Sequence, residues 1–280
     1  MDENLRRVDR RPVKRFSIIG AGNLGSCLIK SLVKKGYILK YIYKKTKYPI
    51  PQFEAAIENN IGLIVERSDF IIISTQESAI REAAESAAAL SNPQGKIFFH
   101  TANSLSSDEL ISLKKKGAHT ASFSPLQTFT GTQPNVNSEE NLFNGIYFLA
   151  EGDQEALKLA DTIAGDLGAH VLTVDKTDKP YVHIAAVSAS NFLVAILKLA
   201  EQQLKKAGAR SRVPIDIHVL LPLIKQTLKN VASRGVEASL TGPVKRKEMG
   251  IVQKHLEMLE GKEKALYQAL SDFLAASTAA

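Results

Sequence analysis

Apolar residues follow two regimes along this chain. In the first, short runs rich in β-branched and aromatic side chains recur at residues 16–19, 37–43, 69–74, 96–100, 119–123, 146–150 and 170–174. Runs of that kind, without polar alternation, are the mark of parallel strands buried on both faces. Helical spacing fills the gaps: Leu24, Leu28, Ile29, Leu32 and Val33 form one stripe, an alanine-rich stretch that Ser78 can cap reaches Leu90, and a further stripe covers residues 154–167. Weaker helical patterns lie at 53–65 and 110–116. Strand and helix alternate throughout, which predicts an α/β domain with a parallel sheet.

From Asp178 onward no strand pattern remains, so residues 1–176 and 177–280 are expected to be separate domains, the second all-α. Asp178 can cap a helix with Pro180 in its first turn, and the apolar run to Leu204 predicts a buried central helix. Pro214 opens a helix over 215–233 in which Pro222 is expected to make a kink. Gly242 and Pro243 break the chain again before two helices at 247–259 and 262–276.

The first apolar run leads into a glycine pattern. Residues 16–25 read FSIIGAGNLG, with Gly20, Gly22 and Gly25 at GxGxxG spacing between a strand and an amphipathic helix. In a dinucleotide cradle the first glycine bends the chain off the strand, the second leaves room for the pyrophosphate, and the third lets the helix pack close to the sheet. Asn23 and Leu24, opening the helix, would then turn free backbone N–H groups toward the phosphates. The second strand ends in Lys44 and Lys45, and no acidic residue occurs between Gly25 and Gln52. Bases in that place suit a 2′-phosphate, so NADP is expected over NAD; a solvated strand end is the alternative. Thr75 falls at the carboxyl end of the third run, where ligands of open α/β sheets bind.

Composition narrows the function. The 280 residues are 44% hydrophobic and 23% charged, as in ordinary globular proteins, and no run of about 20 apolar residues stands out. The amino terminus is charged and has no signal-peptide pattern, from which a cytoplasmic location and no membrane contact are expected. The net charge of +7 is concentrated in part before residue 17, without aromatic interleaving, and tryptophan is absent, so no nucleic-acid partner is expected. The single cysteine, Cys27, reads as a packing residue, and the six histidines show no metal-ligand spacing, so no metal is expected.

Several longer stretches carry a family likeness: GAGNLG, SPLQTF at 124–129, HIAAVSASN at 183–191, LPLIKQTLKN at 221–230, SLTGPVKR at 239–246 and HLEML at 255–259. Together they resemble a bacterial family of Rossmann-like proteins with a helical C-terminal domain of unknown function. More distantly they resemble pyrroline-5-carboxylate reductase, ketopantoate reductase and the hydroxyacid dehydrogenases related to 6-phosphogluconate dehydrogenase. The resemblance implies NADP in the first domain, a small-molecule substrate in the interdomain cleft, and a homodimer formed through the helical domain. Two positions depart from the family pattern. Ser124 stands where a histidine precedes Pro125, and Ala102-Asn103 stands in place of Ser-Gly. The hydroxyacid dehydrogenases' lysine, four residues before an asparagine, has no counterpart, because Val187 is four before Asn191.

The central helix nevertheless offers candidate chemistry. Lys179, His183, Val187 and Asn191 recur at i, i+4 spacing with Ser190 beside the last. His183 is the candidate proton donor to a carbonyl or imine, and Asn191 the group that orients it or the substrate. Gln127 and Thr128 are candidate substrate contacts, and Arg246 a candidate for an anionic substrate group. An NADP-dependent oxidoreductase is the expected function; a non-catalytic protein that binds or senses NADP(H) is the alternative.

Overall fold

The structure, a computed structural model, describes residues 14–44, 51–129 and 141–277. It divides into two compact units, residues 1–188 and 189–280. The first is built on one seven-stranded sheet in the order β2-β1-β3-β4-β5-β6-β7. Its strands are β1 (Arg15–Ile19), β2 (Ile38–Tyr43), β3 (Phe70–Ile73), β4 (Ile97–His100), β5 (His119–Pro125), β6 (Tyr147–Gly152) and β7 (His170–Thr173). Each of the seven apolar runs forms a strand. β3, read as FIII, is wholly buried, as a strand covered on both faces must be.

The helices cover those faces. On one side α1 (Asn23–Lys34) and α5 (Gln154–Asp166) enclose a core that includes Phe16, Phe70, Phe99, Phe123 and Phe148. On the other, α2 (Ile61–Glu66), α3 (Ile80–Leu90) and α4 (Ile111–Lys114) pack on Ile71, Ile73 and Phe98. Alternate residues of each strand serve opposite cores, which is why polarity never alternates along them.

One expectation about the sheet fails. β5 and β6 pair antiparallel, with Ser122 opposite Glu151, while β6 and β7 are parallel to each other. Apolar runs buried on both faces look alike in either direction, so the run itself does not mark the sense of pairing.

The second unit is helical, as expected. A helix of 33 residues runs over Lys179–Ser211, comprising α6 (Lys179–Val187), a π-helical turn (Ser188–Phe192) and α7 (Leu193–Ser211). The division between the compact units falls between Ser188 and Ala189, in this π turn. The helix is not buried as expected: Tyr181, Ile184, Phe192 and Val194 are each more than half exposed. It is also, contrary to the sequence reading, long and apolar enough by length and composition to cross a membrane, with a mean hydropathy of 1.7 over 18 residues. Pro222 makes no kink. A 3-10 turn at Ile217–Leu220 precedes α8 (Leu221–Arg234), which places the proline in the first turn, where its missing N–H costs nothing. Short helices α9 (Val236–Ser239) and α10 (Gly242–Lys245) lead to α11 (Met249–Glu257) and α12 (Gly261–Ser277).

Candidate functional site

The carboxyl ends of β1, β2 and β3 open onto a cavity of about 480 Å³. Its walls are the glycine turn (Gly20, Ala21, Gly22), Tyr43 and Lys44 at the end of β2, Ser74, Thr75 and Gln76 after β3, Ile61 of α2, and Ala79, Glu82, Ala83 and Ser86 around α3. The three glycines behave as three different parts. Gly20 has φ +95°, and a side-chain carbon there would meet the Ser74 carbonyl oxygen at 2.5 Å. On Gly25 such a carbon would lie 2.3 Å from the Gly20 oxygen, so this glycine lets α1 sit against the turn. Gly22 caps α1 in extended conformation, and a carbon added there would meet nothing of the protein within 4 Å. It would project into the open space before the helix.

That helix start is arranged for an anion. No acidic residue lies in the first turn of α1, and no side chain caps it. Its leading N–H groups and positive dipole end therefore face the cavity. A glycine with open space before it, at an uncapped helix start beside a lysine, fits the pyrophosphate and ribose end of a dinucleotide. Among the expected cofactor residues, Gly20, Gly22, Lys44 and Thr75 line the cavity. Asn23 instead donates from Nδ2 to the Phe129 carbonyl at 3.2 Å, and Leu24 packs on the core, so only their backbones are available to a ligand. Lys45 lies outside the described residues. The sequence reading missed Ser74, Tyr43, Glu82 and Ser86, which no motif marks; the signal that was available is their place at strand ends or at helical spacing on α3.

A second polar group of residues lies at the end of β4, midway along β5 and near the end of β6. The sheet register aligns His100, Ser122 and Glu151 side by side on one face. The Nζ of Lys179, from the first turn of α6, donates to Ser122 Oγ at 2.5 Å, and the lysine is only 1% exposed. Burial pushes its ammonium down to about 8, against the pull of the Glu151 carboxylate. Glu151 is held by the N–H and hydroxyl of Ser107 at 2.8 and 2.6 Å. His100 takes an N–H from Ala102 on Nδ1 and turns Nε2 to the Ser106 carbonyl, which assigns the proton to Nε2. Burial, with the nearby Lys179 charge adding to it, drives this imidazole down to about 4, so it is neutral at physiological pH. Thr101 joins this group to the cavity by a 3.2 Å hydrogen bond to Ser74.

The stripe on the long helix comes out only in part. Lys179 is buried, His183 and Val187 are half-buried, and Asn191 is exposed, because the i→i+5 bonds of the π turn widen the helix and rotate the last position away. The buried Nδ1 of His183 has no hydrogen-bond partner among the described residues. Ser190 donates to Asn191 Oδ1 at 2.9 Å. Gln127 and Thr128 are exposed just beyond β5, on the segment whose Phe129 is bonded to Asn23. Arg246 lies in the second unit and makes a two-pronged pair with Glu248 at 2.9 and 2.8 Å, so an anionic substrate would have to displace that carboxylate. Among the described residues there is no group of three or more metal-binding side chains.

The chain is similar to known proteins in both halves. Residues 15–104 match the profile described as NADP oxidoreductase, coenzyme F420-dependent, and residues 146–273 match a domain of unknown function, DUF2520. A search of curated proteins by sequence finds no match. Among solved structures, a Bacteroides fragilis protein described as an NADP oxidoreductase is 26% identical, with a TM-score of 0.76 over 94% of this chain and 98% of the other. A Thermotoga maritima protein is 22% identical, with a TM-score of 0.67 over 95% and 100%. The imine reductase of Myxococcus stipitatus, in complex with NAD+, shares the fold at 15% identity, with a TM-score of 0.64 over 94% of both chains. The chain is thus similar over residues 15–104 to the NADP oxidoreductase, coenzyme F420-dependent, profile and over residues 146–273 to DUF2520.

Proposed function

We infer that this protein is an NADP-dependent oxidoreductase acting on a small carbonyl or imine compound. The observation that carries the reading is the open cradle at Gly22, before an uncapped helix and on the same cavity as Lys44 and Thr75. The oxidoreductase profile over residues 15–104 supports it, as does the shared fold of an imine reductase. The nicotinamide would supply or accept the hydride. The backbone N–H groups of Asn23 and Leu24 would hold the pyrophosphate, and Lys44, with Lys45 next to it, would meet the 2′-phosphate and so favour NADP over NAD. His183, whose buried Nδ1 lacks a partner, would give or take the proton, imidazole being the side chain suited to that near neutral pH. Gln127 and Thr128 in the first unit are the substrate contacts proposed there, and Asn191 with Ser190, and Arg246, those proposed in the second.

Incubation of the protein with NADPH and pools of keto acids, aldehydes and cyclic imines tests this reading through loss of nicotinamide absorbance. Turnover of one pool is the expected result. The bond between Asn103 and Ser124 favours a second reading, since two polar groups at the strand ends are occupied with each other. On that reading the protein senses NADP(H), and the same assay shows tight NADPH binding with no turnover of any pool. Absence of NADPH binding overturns both.

The long helix bears on assembly. Its apolar side chains Tyr181 and Ile184 before the π turn, and Phe192 and Val194 at and after it, leave apolar surface open to water. A homodimer through residues 180–276 would cover it. A membrane is the less favourable cover, because Lys179 at the helix start is bonded into the sheet of the first unit. Light scattering at ~10 µM, above the dissociation constants of stable dimers, should return twice the chain mass, and a monomer mass overturns the assignment.

A further inference from the structure

Lys179 and His183 stand one turn apart on α6, and each has a buried polar group that complements the other's. On this helix Lys179, Val182, His183, Ala186 and Val187 are buried or half-buried, whereas Tyr181, Ile184 and Ala185 are exposed, so the lysine and the histidine share the covered face. A lysine ammonium has three N–H groups and no acceptor. Among the described residues Ser122 Oγ, at 2.5 Å, is the partner of Lys179 Nζ, and the Glu151 carboxylate is taken up by Ser107, so the remaining N–H groups of the lysine stay available. His183 Nδ1 is buried with no hydrogen-bond partner among the described residues. A neutral imidazole has one donor nitrogen and one acceptor nitrogen, and beside a group that can only donate, the acceptor belongs at Nδ1.

Resting on the reading of His183 as the proton donor, we propose that the Lys179 ammonium donates to His183 Nδ1, directly or through one water, which holds the imidazole proton on Nε2 and places a proton source behind it. Lys179 is then a positioning residue that acts through His183 and need not touch substrate. When hydride addition leaves a substrate oxygen or nitrogen with an electron pair, the Nε2 proton passes to that atom and Nδ1 takes one from Lys179. The ammonium becomes an amine, and the imidazole stays neutral with its proton on the other nitrogen. Water returns a proton to the amine between turnovers. Burial prepares the lysine for this, since it lowers the ammonium from 10.5 to about 8, where a proton is released more readily than from an exposed lysine. The charged and titratable groups that face it are Glu151 on β6, whose carboxylate favours the ammonium, and His100 on β4, which burial keeps neutral. Lys176, earlier on the same segment, is paired with Asp108.

The test is NMR of protein isotopically labelled at the histidine nitrogens, with His183 assigned from the His183→Ala spectrum, on the native protein, Lys179→Met and Lys179→Gln. Native His183 should show Nε2 protonated and Nδ1 unprotonated, and its Nδ1 resonance should take a step near pH 8 as Lys179 loses its charge. Lys179→Met removes every donor, so it should shift Nδ1 and abolish that step. Lys179→Gln keeps a donor that does not titrate, so Nδ1 should stay bonded while the step disappears. Should the methionine variant fail to fold, the glutamine variant and the native titration decide the matter. A proton on Nδ1, or no step in the native protein, overturns the proposal, and so does a step that survives in both variants. On a compound that is turned over, Lys179→Met should lower kcat by ~10-fold or more with KM within about threefold, and Lys179→Gln should not restore it. A native kcat in both variants overturns the proton-supplying role. Absence of turnover with every compound dismisses the oxidoreductase reading instead, and the NMR titration still decides the bond.

Discussion

Ser124 donates a hydrogen bond to Oδ1 of Asn103 at 2.5 Å, and Nδ2 of the same amide donates to the Pro125 carbonyl at 3.2 Å. These are the two positions at which the chain departs from the pattern of the family it resembles, and in the fold they are one feature that joins the ends of β4 and β5. Removing either partner leaves the other with an unmet polar group. Ser124→Ala and Asn103→Ala should each lower stability by about 1 kcal/mol. The double variant should cost less than the sum, with a coupling of about 0.5 kcal/mol or more. Denaturant unfolding of the four proteins checks this, and strict additivity would refute the coupling.

Gly22 and Gly25 should fail in different ways. A side chain at Gly22 meets no protein atom, so Gly22→Val should fold with unchanged far-UV dichroism yet lose nucleotide binding. At Gly25 the added carbon falls 2.3 Å from the Gly20 oxygen, so Gly25→Ala should destabilise the fold by about 2 kcal/mol or more. Melting curves and NADPH titration separate the two effects.

Cofactor choice is expected to rest on the end of β2. Calorimetry should give tighter binding of NADPH than of NADH, and the double change Lys44→Glu with Lys45→Glu should erase most of the difference. Equal affinity of the native protein for both cofactors contradicts this assignment.

His183→Ala should leave NADPH affinity within about threefold while lowering turnover by ~10²-fold or more, the scale of a lost general acid. Asn191→Ala should chiefly raise KM if this residue positions substrate. Both expectations apply once a turned-over compound is in hand, and a His183→Ala enzyme of native rate would dismiss the proton-donor role.

Lys179 makes a pH prediction. Its folded value, about 8, lies below the 10.5 of an exposed lysine, so between those two values the unfolded chain holds more protons than the native one. Stability contributed by this group therefore rises with pH across that window, by up to about 3 kcal/mol. Below pH 8 the buried ammonium is carried at a cost. Lys179→Met should flatten the slope between pH 8 and 10, measured by urea unfolding, while the native protein retains it.

Much of the fold was legible because burial on both faces leaves a plain mark: each apolar run became a strand, and FSIIGAGNLG became the strand, turn and helix that it spells. The direction of β6 left no such mark, since pairing sense is set by the connection and not by the run. The long helix was misread for a related reason. Apolar content tells that a surface is to be covered, and Ile184 or Phe192 looks the same whether its cover is the same chain or another. Of the candidate site, the glycines and Lys44 were readable from spacing. The buried set of His100, Ser122, Glu151 and Lys179 was not, because strand register and a single lysine reaching across the sheet bring together residues that no motif connects.

The reversal of β6 also has a consequence for how such a protein can be altered. Because β5 ends and β6 begins at the same margin of the sheet, the connection over residues 126–146 is rooted at both ends on that margin, and its Phe129 is bonded to Asn23 at the head of α1. A crossover in a parallel unit would have carried the chain to the opposite margin. Here the described ends of that connection are tied in, the Leu126 N–H to the Tyr147 carbonyl and Phe143 into the core, so a change of sequence has to spare both ends to leave β5 and β6 in place.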